Sequence, residues 1–116
     1  MLEKDVQKAI MEYLELSGIF CWRNNTGATK YEGKDGKSRW VNYGKAGSSD
    51  ILGVVRPSGR LLTIEVKSPT GRVSAKQQEF LEEIDRNGGI AIIARSVEDV
   101  ETALKLENVP LQQTLV

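Results

Sequence analysis

The chain has 116 residues, ordinary hydrophobic content, and sixteen basic against sixteen acidic side chains. That length predicts one domain, spanning residues 1–116, with room for a real core. There is no histidine and a single cysteine, Cys21, which excludes Ser-His-Asp triads, histidine-based zinc sites and an internal disulfide, and leaves oxygen ligands of the kind that suit Mg²⁺ or Mn²⁺ for any metal. No apolar run approaches the ~20 residues that a membrane span needs. The charged opening Met1-Leu2-Glu3-Lys4-Asp5 is unlike a signal peptide. With the lone cysteine, this predicts a cytoplasmic, reducing setting and no membrane partner.

Residues 2 to 16 read as an amphipathic helix, because Leu2, Val6, Ala9, Ile10 and Tyr13 recur at helical spacing. Glu12 and Glu15 lie well off that stripe, and Glu3 lies at its edge. An edge carboxylate can reach into a site that the helix packs against. Equally, a first-turn glutamate is favoured by the helix dipole and can be simply solvated. Gly18 ends the helix, and Ile19-Phe20-Cys21-Trp22-Arg23 reads as a first strand. Residues 24 to 47 read as a long loop or a loose hairpin, with a short strand at Arg39 to Tyr43. Trp22, Tyr31, Trp40 and Tyr43 are interleaved with its basic residues. The pattern suits base stacking and phosphate contact, although two or more of these aromatics are expected in the core.

Ser49-Asp50-Ile51-Leu52-Gly53-Val54-Val55 and Leu61-Leu62-Thr63-Ile64-Glu65-Val66-Lys67 read as two buried strands. Arg56-Pro57-Ser58-Gly59-Arg60 between them predicts a tight antiparallel connection. Glu65 and Lys67 share one strand face, and Ile64 and Val66 share the other. The place of Asp50 depends on register. If Val55 pairs Leu61, Asp50 faces Val66 and points the wrong way; a one-residue shift, or a bulge at Gly53, brings it round. Taken singly, these are ordinary polar ends of core strands. Acidic residues are depleted within strands, however. An Asp, a Glu and a Lys converging at one end of a hairpin form a hard-cation site with a general base or charge stabiliser beside it, suited to metal-assisted phosphodiester hydrolysis.

Ser68 to Val73 reads as a turn, and Ser74-Ala75-Lys76-Gln77 as a capping box that opens a helix running to about Asn87. Its apolar face carries Phe80, Leu81 and Ile84, with Gln77 in line. Gly88-Gly89 stops it. Ile90-Ala91-Ile92-Ile93-Ala94 is a short apolar strand, expected at the centre of the sheet and parallel to a neighbour. Ser96 caps a last helix that buries Val97, Val100, Ala103 and Leu104, and a tail is expected from Val109. This order predicts an α/β fold, a mixed central sheet flanked by helices. Gly44-Lys45-Ala46-Gly47-Ser48-Ser49 is no phosphate-binding P-loop, since it lacks the Gly-Lys-Ser/Thr ending and precedes a strand. Its role is to let the backbone approach DNA or to shape the way in to Asp50.

Zero net charge hides a bipolar distribution. Arg23, Lys30, Lys34, Lys37, Arg39 and Lys45 stand against Glu32 and Asp35, and Arg72 and Lys76 extend the basic side, while the acidic balance lies in the later helices. A basic loop side can track phosphates in spite of zero net charge. These eight cations, with Ser48 and Ser49, are the expected DNA contacts.

Glu3-Lys4-Asp5-Val6-Gln7, Trp22-Arg23-Asn24-Asn25-Thr26-Gly27, Gly47-Ser48-Ser49-Asp50, Glu65-Val66-Lys67 and Gly71-Arg72-Val73-Ser74-Ala75-Lys76-Gln77 occur in that order. Together they resemble the stand-alone VRR-NUC domain, a branch of the PD-(D/E)XK nuclease superfamily with a restriction-endonuclease-like core. The resemblance implies an endodeoxyribonuclease that needs Mg²⁺ or Mn²⁺. It implies Asp50, Glu65 and the Val66 carbonyl as metal ligands, and Glu3 as a helix-borne ligand acting through water. Lys67 would orient or activate the attacking water, either as a base or as a charge that stabilises the transition state. Gln77 would support the lysine or the phosphate. Members built of this domain alone, from bacteria or phages, are similar to Holliday-junction resolvases and act as homodimers in recombination and DNA repair. Others act on flaps. The resemblance therefore implies branched DNA as the partner, four-way junctions first, in a bacterial or phage-infected cell. A sequence-reading or nicking nuclease, and a catalytically idle DNA-binding module on the same fold, are the competing readings.

Overall fold

The computed structural model describes residues 2–112. In chain order the elements are α1 (Glu3–Leu16), β1 (Phe20–Arg23), β2 (Gly27–Glu32), β3 (Ser38–Tyr43), β4 (Ile51–Val55), β5 (Arg60–Val66), α2 (Ala75–Arg86), β6 (Ile90–Ala94) and α3 (Val97–Leu106). The main sheet has four strands in the order β1-β4-β5-β6. β4 runs antiparallel to both β1 and β5, and β6 is parallel to β5. The mixed, helix-flanked sheet predicted from the sequence is therefore present. Among the described residues no helix is long and apolar enough to cross a membrane.

Strand alternation divides the sheet into two unlike faces. Ile51 and Val55 of β4, Leu62, Ile64 and Val66 of β5, and Ile90, Ile92 and Ala94 of β6 form one buried cluster with Val6, Ile10 and Leu14 of α1 and Val100 and Leu104 of α3. Each large aliphatic side chain fully buried there contributes roughly 1.5–3 kcal/mol. The opposite face carries Thr63 and Glu65, both buried. α2 covers it over β5 and β6 only, with Leu81 as its buried residue. Beyond α2, that face leaves Phe20, Trp22 and Val54 exposed.

Helix ends follow their local chemistry. Ser74 caps α2 in a full capping box, with Gln77 N–H donating to Ser74 Oγ and Ser74 N–H donating to Gln77 Oε1. The Ser96 hydroxyl accepts from Asp99 N–H at the start of α3. α1 begins after Leu2, which caps it without a side-chain bond and is itself exposed.

Four expectations change. Residues 24–47 form a hairpin, one of the two forms expected, but with two strands, β2 and β3, in place of one short strand, paired as a separate ribbon. None of the four aromatics Trp22, Tyr31, Trp40 and Tyr43 belongs to the core; all are exposed. β6 is parallel as expected but stands at the sheet's edge, because its apolar run is covered by helices above and below and not by strands on both sides. The segment after α3 is no free tail. Val109 and Leu111 pack on the core, and Gln112 N–H donates to the Ser17 carbonyl at 2.9 Å. The final residues of the expected tail, 113–116, lie outside the described residues.

Candidate active site

The register settles the position of Asp50. Val55 pairs Arg60 and Ile51 pairs Ile64, without a bulge at Gly53. This is the one-residue shift, and it sets Asp50, just ahead of β4, across from Glu65 on the α2 face. The Asp50 carboxylate is anchored there, with Oδ2 accepting from the Val66 backbone N–H at 2.7 Å. Its strand entrance is clamped from β1. Asn24 N–H donates to the Asp50 carbonyl at 2.8 Å, and Asn24 Nδ2 donates to Ser48 Oγ at 2.7 Å and to the Ser49 carbonyl at 3.0 Å. Gly47 is required beside it. Its φ is +80°, and an added Cβ would lie 2.7 Å from the Lys76 carbonyl oxygen at the start of α2.

Glu65 is 2 % exposed. Its Oε1 accepts from Gln77 Nε2, and Lys67 Nζ stands 3.7 Å from the same oxygen. Its Oε2 is buried with no hydrogen-bond partner among the described residues. Burial, and then the neighbouring charge of Asp50, push the Glu65 carboxyl up to about 7, against the pull of Lys67. Burial also raises Asp50, opposed by the Val66 N–H and by Lys67. Two carboxylates that resist ionising together, one with an unsatisfied buried oxygen, fit a divalent cation. The donor set is oxygen alone, which matches Mg²⁺ or Mn²⁺.

The remaining expected residues fall into three groups. Gln77, expected to support the lysine or the phosphate, bonds Glu65, because the capping box turns its amide oxygen toward Ser74 N–H and so its NH₂ toward the carboxylate. Glu3 is exposed on α1, which packs on the other face of the sheet. Its charge is felt at Glu65, but among the described residues no three carboxylates converge closely enough to hold one ion. The basic residues Arg23, Lys30, Lys34, Lys37, Arg39, Lys45, Arg72 and Lys76 are all exposed. Arg39 pairs with Asp35 at 2.7 Å. Ser48 is half-buried against Asn24, and Ser49, expected among the DNA contacts, is buried, because its strand entrance is folded under the Asn24 clamp.

Two supporting residues have no role predicted from the sequence, although Asn24 lies within one of the motifs of the resemblance. Asn24 holds the segment bearing Asp50. Arg95, just past β6, donates through Nη1 to the Ser68 and Gly71 carbonyls at 2.6 and 2.7 Å, which fixes the turn between Lys67 and the α2 cap. An asparagine and an arginine in loops read as solvated until the chain is folded.

Asp50 and Glu65 on adjacent strand ends, a lysine two residues on, and a helix-borne glutamine behind them form one constellation. The family model of the VRR-NUC domain matches residues 1–98, which takes in every one of these residues and stops at the start of α3. No curated protein matches the chain. The chain belongs to the VRR-NUC domain family, a family of nucleases, and its mixed, helix-flanked sheet is consistent with that fold.

Proposed function

We propose that this nuclease is a metal-dependent, structure-selective DNA endonuclease that hydrolyses phosphodiester bonds in branched DNA, four-way junctions first, as a homodimer. The observation that carries the metal-dependent part is the Asp50–Glu65 pair with the unpartnered, buried Glu65 Oε2. Asp50, Glu65 and the Val66 carbonyl would hold Mg²⁺ or Mn²⁺, with Glu3 reaching it through water. When bound, the ion supplies positive charge against the phosphate oxygens and acidity to a nearby water.

The protein's own residues do the positioning. Val66 N–H fixes one Asp50 oxygen, and Gln77 fixes one Glu65 oxygen, so neither carboxylate must reorganise when substrate arrives. Lys67, 3.7 Å from Glu65, stands where it meets either the attacking water or the charge that builds on phosphorus. The exposed cations on the arm and around α2 supply the phosphate contacts that hold the duplex. The uncovered sheet face at Phe20, Trp22 and Val54 supports self-association, and a two-fold dimer matches the two symmetric strands of a junction.

The test is incubation of the protein with labelled four-way junction, flap, splayed-arm and linear DNAs in Mg²⁺, Mn²⁺ or EDTA. Junction cleavage that EDTA abolishes and Mg²⁺ or Mn²⁺ restores is expected. Full activity in chelator overturns the metal site. Light scattering that shows a monomer cutting flaps but not junctions moves the protein to the other substrate branch.

A further inference from the structure

The β2–β3 ribbon is an arm that the catalytic corner does not use. Every residue of both strands is exposed, and the strands pack essentially only on each other. A lone two-stranded ribbon is marginally stable in water, yet this one displays Trp40 at 71 % exposure with Tyr31 and Tyr43 also open. Such side chains left open along an arm call for a partner, and three observations say which. The register sets Lys30 directly opposite Trp40 on one face, where cross-strand Cβ atoms lie about 4.5–5.5 Å apart. A flat indole beside an ammonium matches the base and the phosphate of one nucleotide. The arm is also cationic within a chain of zero net charge: Lys30, Lys34, Lys37, Arg39 and Lys45 stand against Glu32 and Asp35, and Asp35 is occupied by Arg39. Finally, the arm is continuous with the site, since both of its stems meet at Asn24, Ser48 and Ser49, against Asp50.

We infer that the arm reads unpaired bases beside the scissile bond, with Trp40 as the stacking platform and Lys30 as its phosphate contact. The substrate class that follows is DNA with unstacked or single-stranded nucleotides at a branch point, in preference to continuous duplex. This inference rests on the reading of the protein as a DNA endonuclease.

The experiment measures binding of the whole protein in EDTA, by fluorescence anisotropy, to a splayed-arm DNA and to a continuous duplex of the same length. Trp40→Ala is expected to weaken splayed-arm binding by roughly tenfold or more and to leave duplex binding little changed. Trp40→Phe retains most of the affinity. Lys30→Ala weakens both and flattens their salt dependence. With Trp22→Phe as background, Trp40 fluorescence is quenched by the splayed arm and not by the duplex. Trp40→Val, which keeps a strand former opposite Lys30 but has no ring to stack, is expected to lose splayed-arm binding as Trp40→Ala does, so lost binding is not loss of the ribbon. Equal loss on both DNAs, or no loss on either, overturns the inference while the nuclease reading stands. Dissociation of a dimer into monomers on Trp40→Ala, seen by sedimentation, overturns it in favour of a protein interface. A parent protein that neither binds nor cuts any of the DNAs overturns the nuclease reading itself.

Discussion

The Asp50–Glu65–Lys67 corner and the β2–β3 arm use the same kinds of side chain in opposite ways. In the corner, Lys67 and Glu65 stand 3.7 Å apart with side chains 12 % and 2 % exposed. On the arm, Arg39 and Asp35 are closer, at 2.7 Å, but 59 % and 44 % exposed. The shorter pair is the weaker determinant. Solvent screens it, and an exposed pair of this kind contributes at most about 1 kcal/mol. The longer pair lies where field lines are not diluted by water, so the Lys67 charge pulls against the burial that raises the Glu65 carboxyl. Chemistry needs charge held dry and fixed, whereas recognition needs charge and aromatic surface left wet and available. On the functions proposed above, the arm's exposed aromatics and the corner's buried glutamate are two consequences of one division of labour.

The sharpest way to break that division is to remove a carboxylate. Asp50→Asn or Glu65→Gln keeps the packing and deletes a charge at the corner. Either is expected to lower the single-turnover cleavage rate by at least about 10²–10³-fold, while leaving DNA affinity nearly intact and raising the melting temperature of the metal-free protein near pH 8. Unchanged turnover in both variants would rule out the site. Lys67→Ala comes next. It is expected to cost on the order of 10²-fold in single-turnover rate with little loss of affinity. Replacing Lys34 and Lys37 by alanine should do the reverse, weakening binding and flattening its salt dependence while the rate on bound DNA holds. If Lys67→Ala weakens binding and cleaves normally at saturating protein, Lys67 belongs with the arm's cations and the division drawn above fails.

The corner also predicts a pH dependence that the arm does not share. The Glu65 carboxyl titrates near 7 in the folded chain against an ordinary 4.5. Between those values the folded state keeps a proton that the unfolded state has released, so rising pH favours unfolding. Stability in EDTA should therefore fall by on the order of 3 kcal/mol as pH rises from about 4.5 to 7, and Asp50, raised in the same direction, adds to the slope. Urea titrations across that range measure it. Glu65→Gln should flatten the profile and Mg²⁺ should offset the loss at the alkaline end, whereas arm substitutions should leave the profile as it is. A flat profile in the parent protein would mean that Glu65 is better solvated than its 2 % exposure implies.

Much of the corner was legible in the sequence, because strand alternation and a capping box are local patterns. Alternation placed Glu65 and Lys67 on one face, and Ser74 with Gln77 announced the α2 start. What stayed open depended on contacts between elements. The face taken by Asp50 turned on whether Val55 meets Leu61 or Arg60, a choice made by the turn at Arg56–Gly59 and invisible in hydrophobic pattern. The same applies to β6. Burial by helices on both faces gives a run such as Ile90–Ala94 whether or not strands flank it on both sides. The arm was hardest to read, since a solvent-exposed ribbon with Trp40, Val41 and Tyr43 has the composition of a core strand. Sequence reports that a side chain is apolar, not that the fold leaves it without a neighbour.

The smallest expected effect separates fold from chemistry within α2 itself. Gln77 does two things at once: its backbone N–H donates to Ser74 Oγ, and its side chain links Ser74 N–H to Glu65. Ser74→Ala removes only the hydroxyl. The backbone N–H of residue 74 remains to hold Gln77 Oε1, so the amide keeps its orientation and still donates to Glu65. That variant should lose about 1 kcal/mol of stability, the ordinary cost of an N-cap, with cleavage rate and Glu65 titration almost unchanged. Gln77→Glu is the complement. It keeps the acceptor for Ser74 N–H and thus the cap, but it replaces the donor facing Glu65 with a second carboxylate. Like charge then opposes Glu65 ionisation further, and the alkaline loss of stability in EDTA should move to higher pH. If Ser74→Ala shifts the pH profile as much as Gln77→Glu does, the cap hydroxyl and not the amide orients the corner, and α2 acts on Glu65 through its backbone.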